Sequence, residues 1–156
     1  MWEFIEKFTD EELIREDDVF QLGEEWYLVP RALFALGKDL PRHPVFVGTF
    51  LGRKKNNYLV PGVALLEKLA ASKKAKKVVV NDKSAWLFVC GKNVLHSSIV
   101  STENSPAVGD WALVLQGKEC IGFGKIETAL SDKNGAITNV FDIGDFLRRE
   151  RTTTRS

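Results

Sequence analysis

The sequence predicts an α+β protein whose first half combines an antiparallel sheet with helices and whose second half is mostly β. Apolar residues recur at helical spacing only in the first 75 residues. Later in the chain, short stretches rich in β-branched and aromatic residues alternate with turn residues such as Asn134-Gly135. Strands at such regular spacing are typical of a small barrel.

Four helices are predicted in the first half. Trp2, Ile5 and Phe8 recur every three residues, which is typical of one face of a short helix. Thr9, with Glu12 three positions further on, has the pattern of a cap that opens a second helix. The other two helices are predicted from Pro30 through Leu36, where Gly37 follows, and from Pro61 to the lysine-rich stretch near residue 74, with Val63, Leu66, Leu69 and Ala70 on the apolar face.

Strands are predicted in both halves. In the first half, a glycine-containing turn at residues 23–25 between two apolar stretches indicates a hairpin. In the second half, Asn81-Asp82 is interpreted as a turn, and Gly122-Phe123-Gly124 as bends within a strand rather than a dinucleotide-binding loop. The predicted strands cover residues 19–22, 26–29, 45–51, 57–60, 77–80, 85–90, 111–115, 120–127 and 136–141.

The pattern changes at the lysine-rich stretch 73–77, which we take as the domain boundary. This divides the chain into an α+β domain over residues 1–75 and a mostly β domain over residues 76–156. The 156 residues, of which 44% are hydrophobic, suffice for one core or two small ones. The longest apolar stretches are far shorter than the ~20 residues of a membrane helix. The acidic start of the chain lacks the features of a signal peptide, so a cytoplasmic protein without a membrane partner is expected.

Charge is distributed unevenly along the chain. Residues 1–25 contain ten acidic and two basic side chains, whereas residues 26–156 contain 11 acidic and 20 basic ones. The basic side chains gather at residues 53–55, at residues 73–77, and at residues 148–151 with Arg155. Such clusters are hypothesised to neutralise phosphates, although any one of them is equally well explained as a solvated loop or helix end.

The sequence contains no pattern typical of catalysis, and we expect neither catalytic residues, a bound metal nor a cofactor. The two histidines, His43 and His96, lie outside any metalloprotease or nucleophile motif. Cys90 and Cys120 are far apart and have no partner for a metal site, which favours buried thiols over a disulfide. The acidic residues near the N-terminus are interpreted as a solvated face.

Four motifs follow one another in the second half of the chain. They are Phe88-Val89-Cys90-Gly91-Lys92-Asn93-Val94-Leu95-His96-Ser97, Gly109-Asp110-Trp111, Ile121-Gly122-Phe123-Gly124 and Asp142-Ile143-Gly144-Asp145-Phe146-Leu147-Arg148. The first half adds a Gly-Thr-x-x-Gly-basic element at residues 48–53. This series resembles a PUA domain, named after pseudouridine synthase and archaeosine transglycosylase. More narrowly, it is similar to the archaeal and eukaryotic ribosome-assembly family called Nip-seven, and the resemblance covers nearly the whole chain.

The resemblance implies a two-domain, non-catalytic protein. Residues 1–75 would form an antiparallel sheet with helices (a pre-PUA domain), and residues 76–156 a PUA-type β pseudobarrel that binds uridine-rich or AU-rich RNA. The implied role is in large ribosomal subunit biogenesis, on pre-rRNA, with ribosome assembly factors or RNA-processing machinery as protein partners. A monomer is expected, in the cytoplasm of an archaeon or in the nucleolus or nucleus of a eukaryote.

The resemblance also implies which residues contact RNA. The basic residues that follow the Asp-Ile-Gly motif correspond to RNA contacts in the family. In the preceding glycine turn, Lys92 stands where the family usually has asparagine and His96 where it has lysine, so phosphate binding by His96 would depend on pH. The predicted RNA contacts are Arg148, Arg149, Arg151, Arg155, Lys92 and His96. Trp86, Phe88, Phe123 and Phe146 are predicted core residues rather than stacking platforms.

Two alternatives remain open at this point. PUA domains are also fused to RNA-modifying enzymes, so the chain is alternatively the targeting subunit of an RNA-modification complex. In the other alternative, the acidic residues 1–25 bind a basic assembly factor and the chain is a protein-interaction adaptor.

Overall fold

The computed structural model describes residues 1–33, 48–145 and 148. Two short 3-10 turns, Glu16–Asp18 and His96–Ser98, accompany its helices and strands. The helices are α1 (Trp2–Ile5), α2 (Val63–Ala71) and α3 (Asp82–Val89). The strands are β1 (Val19–Leu22), β2 (Glu25–Leu28), β3 (Thr49–Lys55), β4 (Tyr58–Pro61), β5 (Lys77–Val80), β6 (Val94–Leu95), β7 (Ile99–Glu103), β8 (Trp111–Gln116), β9 (Glu119–Ile126) and β10 (Ala136–Asp142).

The strands form two sheets, one in each half of the chain. The first sheet is antiparallel, with the order β1-β2-β3-β4. The second has six strands in the order β6-β10-β9-β8-β5-β7, and it is mixed because β5 runs parallel to β8. The close approach of β9 and β10 requires glycine, because a Cβ atom on Gly122 (φ +148°) would collide with the carbonyl oxygen of Phe141. The bend predicted at Gly122 is thus a point of backbone contact.

Local patterns in the first half predict most of its elements. The β1–β2 hairpin, strand β4 and helix α2 lie where they are expected. In α2, Leu65, Leu66 and Leu69 are buried, at the spacing of one helical face. Residues 31–33 are helical, within the predicted helix 30–36. The last three residues of that helix and the first three of the predicted strand 45–51 fall on residues 34–47, which lie outside the described residues.

The prediction of a helix that begins at Thr9 is wrong. Instead of capping a helix, the Thr9 hydroxyl accepts a hydrogen bond from the Glu11 amide (3.1 Å) and bonds to the Ser72 hydroxyl (3.2 Å). Ser72 in turn donates to a carboxylate oxygen of Glu11 at 2.7 Å. Thr9 therefore joins the N-terminal segment to Ser72, the residue that follows α2 and lies 63 positions further along the chain.

The strand predicted at residues 85–90 is also wrong, because this segment belongs to helix α3. Its apolar stretch is compatible with either structure, and Asn81 favours the helix: its side-chain oxygen accepts a hydrogen bond from the Ser84 amide at 2.9 Å, as an N-cap does. Asn81-Asp82 therefore starts a helix rather than forming a strand-to-strand turn. Ala85 and Phe88 are buried at helical spacing, and Phe88 is completely enclosed.

One apolar cluster joins the two halves. The rings of Phe4 and Phe8 from the N-terminus each contact Phe123 of β9 edge to face, with centroids 5.3 Å apart. Leu66 of α2 and Leu113 of β8 belong to the same buried cluster. A second cluster, between α3 and the second sheet, contains Phe88, Val114 and Ile137 among others. The division into domains 1–75 and 76–156 stays a prediction, and the two halves share a core.

The lysine-rich stretch 73–77 is largely occupied by intramolecular ion pairs. Lys74 lies 3.2 Å from Asp10, Lys76 2.6 Å from Asp110, and Lys77 2.8 Å from Glu103. The Lys77 side chain is itself only 8% exposed. This arrangement supports the structural interpretation of the cluster over phosphate neutralisation.

The Lys76–Asp110 pair predicts a dependence of stability on acid pH. Burial alone would raise the pKa of Asp110, but hydrogen bonds from the Lys76 ammonium and the Ala107 amide, together with the Lys76 charge, lower it below the ordinary 3.8. The stabilisation is therefore fully present above about pH 4 and is lost as pH falls through the folded-state pKa. Because both side chains are partly exposed, we expect about 1 kcal/mol or less. Urea unfolding should show Asp110→Asn to be less stable than wild type at pH 6, and the difference in the free energy of unfolding should shrink toward pH 3. A difference that stays constant with pH would contradict this.

Candidate nucleic-acid interface

The turn of residues 90–93, which connects α3 to β6, is anchored to β10. The Asn139 side chain donates hydrogen bonds to the Phe88 carbonyl (2.8 Å) and to the Asp142 carboxylate (3.1 Å). The backbone amide of Asn139 donates to the side-chain oxygen of Asn93 at 3.0 Å. Gly91 has a positive φ of 85°. These bonds hold the turn in one position relative to the second sheet.

The buried Asp142 and the partly exposed Arg148 form a bidentate ion pair beneath this turn. The two guanidinium Nη atoms lie 2.8 and 2.7 Å from the two carboxylate oxygens. Arg148 also donates to the carbonyl oxygen of Val89, at the end of α3. The Asp142 side chain is 2% exposed and the Arg148 side chain 39%. We call the contacts of Arg148 with Asp142 and Val89 the Arg148 clamp.

Hydrogen bonding to Asp142 favours the charged form of Arg148. The hydrogen bond with Asp142 is the largest effect that raises the pKa of Arg148 above its ordinary value, and it outweighs desolvation. The guanidinium therefore stays charged at every pH at which the protein is folded. Parallel hydrogen bonds of this kind also fix the orientation of the planar group.

The Arg148 clamp explains the Asp-Ile-Gly motif at residues 142–144. The Asp142 carboxylate accepts a hydrogen bond from the Gly144 amide at 2.9 Å, which starts the turn that leads to Arg148. A Cβ atom on Gly144 would collide with the Val89 carbonyl oxygen, so only glycine allows α3 to approach this closely. The motif thus brings the segment after β10 against the end of α3.

The structure therefore gives Arg148 a positioning role that the sequence does not reveal. Its guanidinium lies over Gly91, about 3.5 Å from where a Cβ atom on that glycine would be, so it supports the turn that carries Lys92. RNA contact by Arg148 itself stays a prediction. Arg149, Arg151 and Arg155 lie outside the described residues.

The other two predicted RNA contacts, Lys92 and His96, lie in opposite environments, one exposed and one buried. Lys92 is exposed on the turn, where a phosphate can reach it. His96 is 6% exposed, its Nδ1 lies 2.9 Å from the Asp132 carbonyl oxygen, and its amide donates to the Gly135 carbonyl. Its Nε2 is buried without a hydrogen-bond partner among the described residues. The ring is thus enclosed by the β9–β10 connection, so direct phosphate contact and the pH dependence expected from it do not fit this geometry.

Trp86 is exposed, contrary to the sequence prediction that it lies in the core. Phe88 and Phe123 are buried as predicted, at 0% and 3% exposure, but Trp86 is 70% exposed on the outer face of α3. The error follows from the strand assignment, because in a helix Trp86 lies away from the face that buries Ala85 and Phe88. The Asn81 N-cap is the sequence signal that places Trp86 on an exposed helix face, where it is a candidate stacking surface. Phe146 lies outside the described residues.

The part of the chain that the structure describes contains neither a candidate metal site nor a membrane-spanning helix. No group of three or more His, Cys, Asp and Glu side chains there is arranged to hold a metal ion. The helices of that part are all too short or too polar to cross a membrane.

The two cysteines differ in accessibility, which predicts selective labelling. Both are free; Cys90 is exposed beside Arg148, contrary to the sequence prediction, whereas burial raises the pKa of Cys120 to about 11. Because the thiolate is the reactive form, a maleimide at neutral pH should label Cys90 rapidly and Cys120 only after denaturation. Cys90→Ser should abolish the rapid phase, as counted by intact mass. Equal rates for the two thiols would contradict the burial of Cys120.

The second half of the chain is similar to a known domain family, and the fold is similar to solved structures. Residues 76–151 match the model of the UPF0113 PUA domain family. The fold is similar to that of a conserved PUA domain protein from Thermoplasma acidophilum, with 23% identity, a TM-score of 0.53, and coverage of 67% of this chain and 72% of that one. It is also similar to a hypothetical protein from the hyperthermophilic archaeon Pyrococcus horikoshii, with 15% identity, a TM-score of 0.58, and coverage of 96% and 93%. No curated protein matches the chain significantly. The predicted α+β fold with a PUA domain is confirmed.

Proposed function

We propose that this chain, whose residues 76–151 match a PUA domain family, is a non-catalytic protein that binds uridine-rich or AU-rich pre-rRNA during large ribosomal subunit biogenesis. The PUA domain is a generic RNA-binding fold, and the narrower role rests on the motifs shared with the Nip-seven family. Fold alone does not determine function, so the surface has to support the proposal.

The observation that carries the proposal is the rigid, exposed turn of residues 90–93. The Arg148 clamp and Asn139 hold this turn against the sheet and leave Lys92 directed to solvent. Arg149 and Arg151 follow the clamp immediately in the sequence. A fixed turn with a cation is suited to phosphate contact, because binding does not have to order the backbone first.

The test is a fluorescence anisotropy titration of the full chain with uridine-rich, adenosine-rich and structured RNAs at several salt concentrations. We expect the uridine-rich RNA to bind most tightly, with affinity that falls as salt rises because phosphate contacts release counterions. Co-sedimentation with precursors of the large subunit in cells of the source organism tests the narrower role. An absence of binding to all three RNAs would rule out the proposal as a whole.

A second function, as a protein adaptor, is favoured by the acidic N-terminal surface. Asp10, Glu12, Glu16 and Asp17 are all exposed there, and only Asp10 and Asp17 lie within 4.0 Å of a basic group among the described residues. Such a surface suits a basic protein partner. Affinity capture before and after nuclease treatment separates the two functions, because an adaptor keeps its protein partners when RNA is removed.

A further inference from the structure

A cleft lies where the two halves of the chain meet. Tyr58, Leu59 and Val60 of β4 line one side, and the end of β10 with Arg148 lines the other. Its volume is about 500 Å³, within the range of small-molecule pockets. We call this space the inter-sheet cleft; it does not exist in either half alone.

Aromatic rings line the cleft. Trp111, Phe123 and Phe141 follow one another across the second sheet, with ring centroids 5.6 and 5.5 Å apart. Phe123 and Phe141 are close to parallel, at 15°. Tyr58 projects from the facing hairpin, is 51% exposed, and makes no ring contact with another aromatic side chain in the described part of the chain. Flat, aromatic surroundings of this kind suit a planar ligand such as a nucleobase.

Cations lie in the cleft and at the outer end of the facing hairpin. The Lys7 ammonium, in the cleft lining, lies 4.6 Å from the centroid of the Trp111 ring. At that end of the hairpin, Lys55 pairs directly with Tyr58 in the β3–β4 ladder, and Arg53, Lys54 and Lys55 are all exposed. Of the carboxylates in the cleft, Asp142 is neutralised by Arg148, and Asp145 lies 3.9 Å from the same guanidinium. The cations suit a ligand that is planar at one end and anionic at the other.

We propose that the inter-sheet cleft binds one unpaired nucleotide of RNA, with its base against Tyr58 and its phosphate toward Lys55. This proposal rests on the proposed RNA-binding function and extends it, since the first half of the chain then takes part in recognition. The cleft accommodates a single base rather than a duplex, so the RNA is single-stranded where it crosses from the α3–β6 turn to the hairpin.

The experiment uses the full chain and a uridine-rich RNA that carries one 2-aminopurine, whose fluorescence is quenched by stacking. Tyr58→Ala is expected to weaken binding about 5- to 30-fold and to relieve the quenching, because one base–aromatic stack is worth about 1–2 kcal/mol. Tyr58→Phe keeps the ring and should bind as wild type does. Val100→Ala, at an exposed position of the edge strand β7 in the second sheet, is the control.

The possible outcomes separate the two proposals. If wild type binds RNA but Tyr58→Ala and Val100→Ala behave alike, the cleft proposal is wrong and the RNA-binding function stands. If wild type binds no RNA, both fail. Thermal melting shows whether Tyr58→Ala remains folded; if it does not, photocrosslinking of 4-thiouridine RNA to wild type decides. Crosslinks to Tyr58 or Trp111 would support the cleft, and crosslinks confined to other segments would overturn it.

Discussion

Replacing Arg148 with alanine is expected to destabilise the protein by about 2–4 kcal/mol. The substitution leaves the Asp142 carboxylate, 2% exposed, without its charged partner, and it frees the Val89 carbonyl. Loss of one partner from a fully buried pair costs about 3–5 kcal/mol, and the partial exposure of Arg148 reduces this. Urea unfolding at neutral pH followed by circular dichroism measures the change.

A double-mutant cycle with Asp142→Asn isolates the pair. Once the carboxylate charge is gone, Arg148→Ala should cost much less than in wild type, because no buried charge is left unpaired. Lys92→Ala, on the surface of the turn that the clamp supports, is the control and should change stability by less than about 0.5 kcal/mol. Equal costs of Arg148→Ala in the two backgrounds would show that the pair does not stabilise the fold. RNA binding by Arg148 variants has to be measured where they are folded, since lost affinity otherwise reports lost structure.

The second large effect is expected on RNA affinity when three cations are removed together and Arg148 is kept. We expect the triple variant Lys92→Gln, Arg149→Gln, Arg151→Gln to bind uridine-rich RNA about 30- to 100-fold more weakly at about 0.1–0.2 M salt, because a salt exponent of about 0.7 makes each lost phosphate contact cost about three- to five-fold in affinity. For single-stranded RNA, the slope of log affinity against log salt should fall by about 2, or about 0.7 per contact. Anisotropy titrations at four salt concentrations give both quantities.

The charge-matched control removes three positive charges at other positions in the chain. Lys68→Gln, Lys73→Gln, Lys118→Gln removes equal charge from α2, from the stretch after it and from the β8–β9 turn. It should reduce affinity only slightly, through the weaker general attraction. Equal losses in the two triple variants would mean that net charge, and not the surface around residues 90–93, binds RNA.

Much of the fold could be predicted from sequence because its signals are local. The β1–β2 hairpin follows from a glycine turn between two apolar stretches, and α2 from leucines at helical spacing after Gly62. Strands β8, β9 and β10 follow from β-branched and aromatic residues between turns. The segment at α3 was misassigned because the six apolar residues 85–90 fit either a strand or a helix, and only the Asn81 cap decides between them.

The amino-acid sequence by itself determined the fold class, the positions of most strands and the motifs that indicate an RNA-binding domain, since each depends on residues close together in the chain. The roles of the cations were decided by the tertiary structure. Arg148 donates to Val89, 59 residues away, and Lys77 pairs with Glu103, 26 residues away. The sequence shows that these charges exist, but strand order and register determine which carboxylate or carbonyl each one meets. The same holds for the inter-sheet cleft, because its two sides come from different sheets and become neighbours only when the halves pack together.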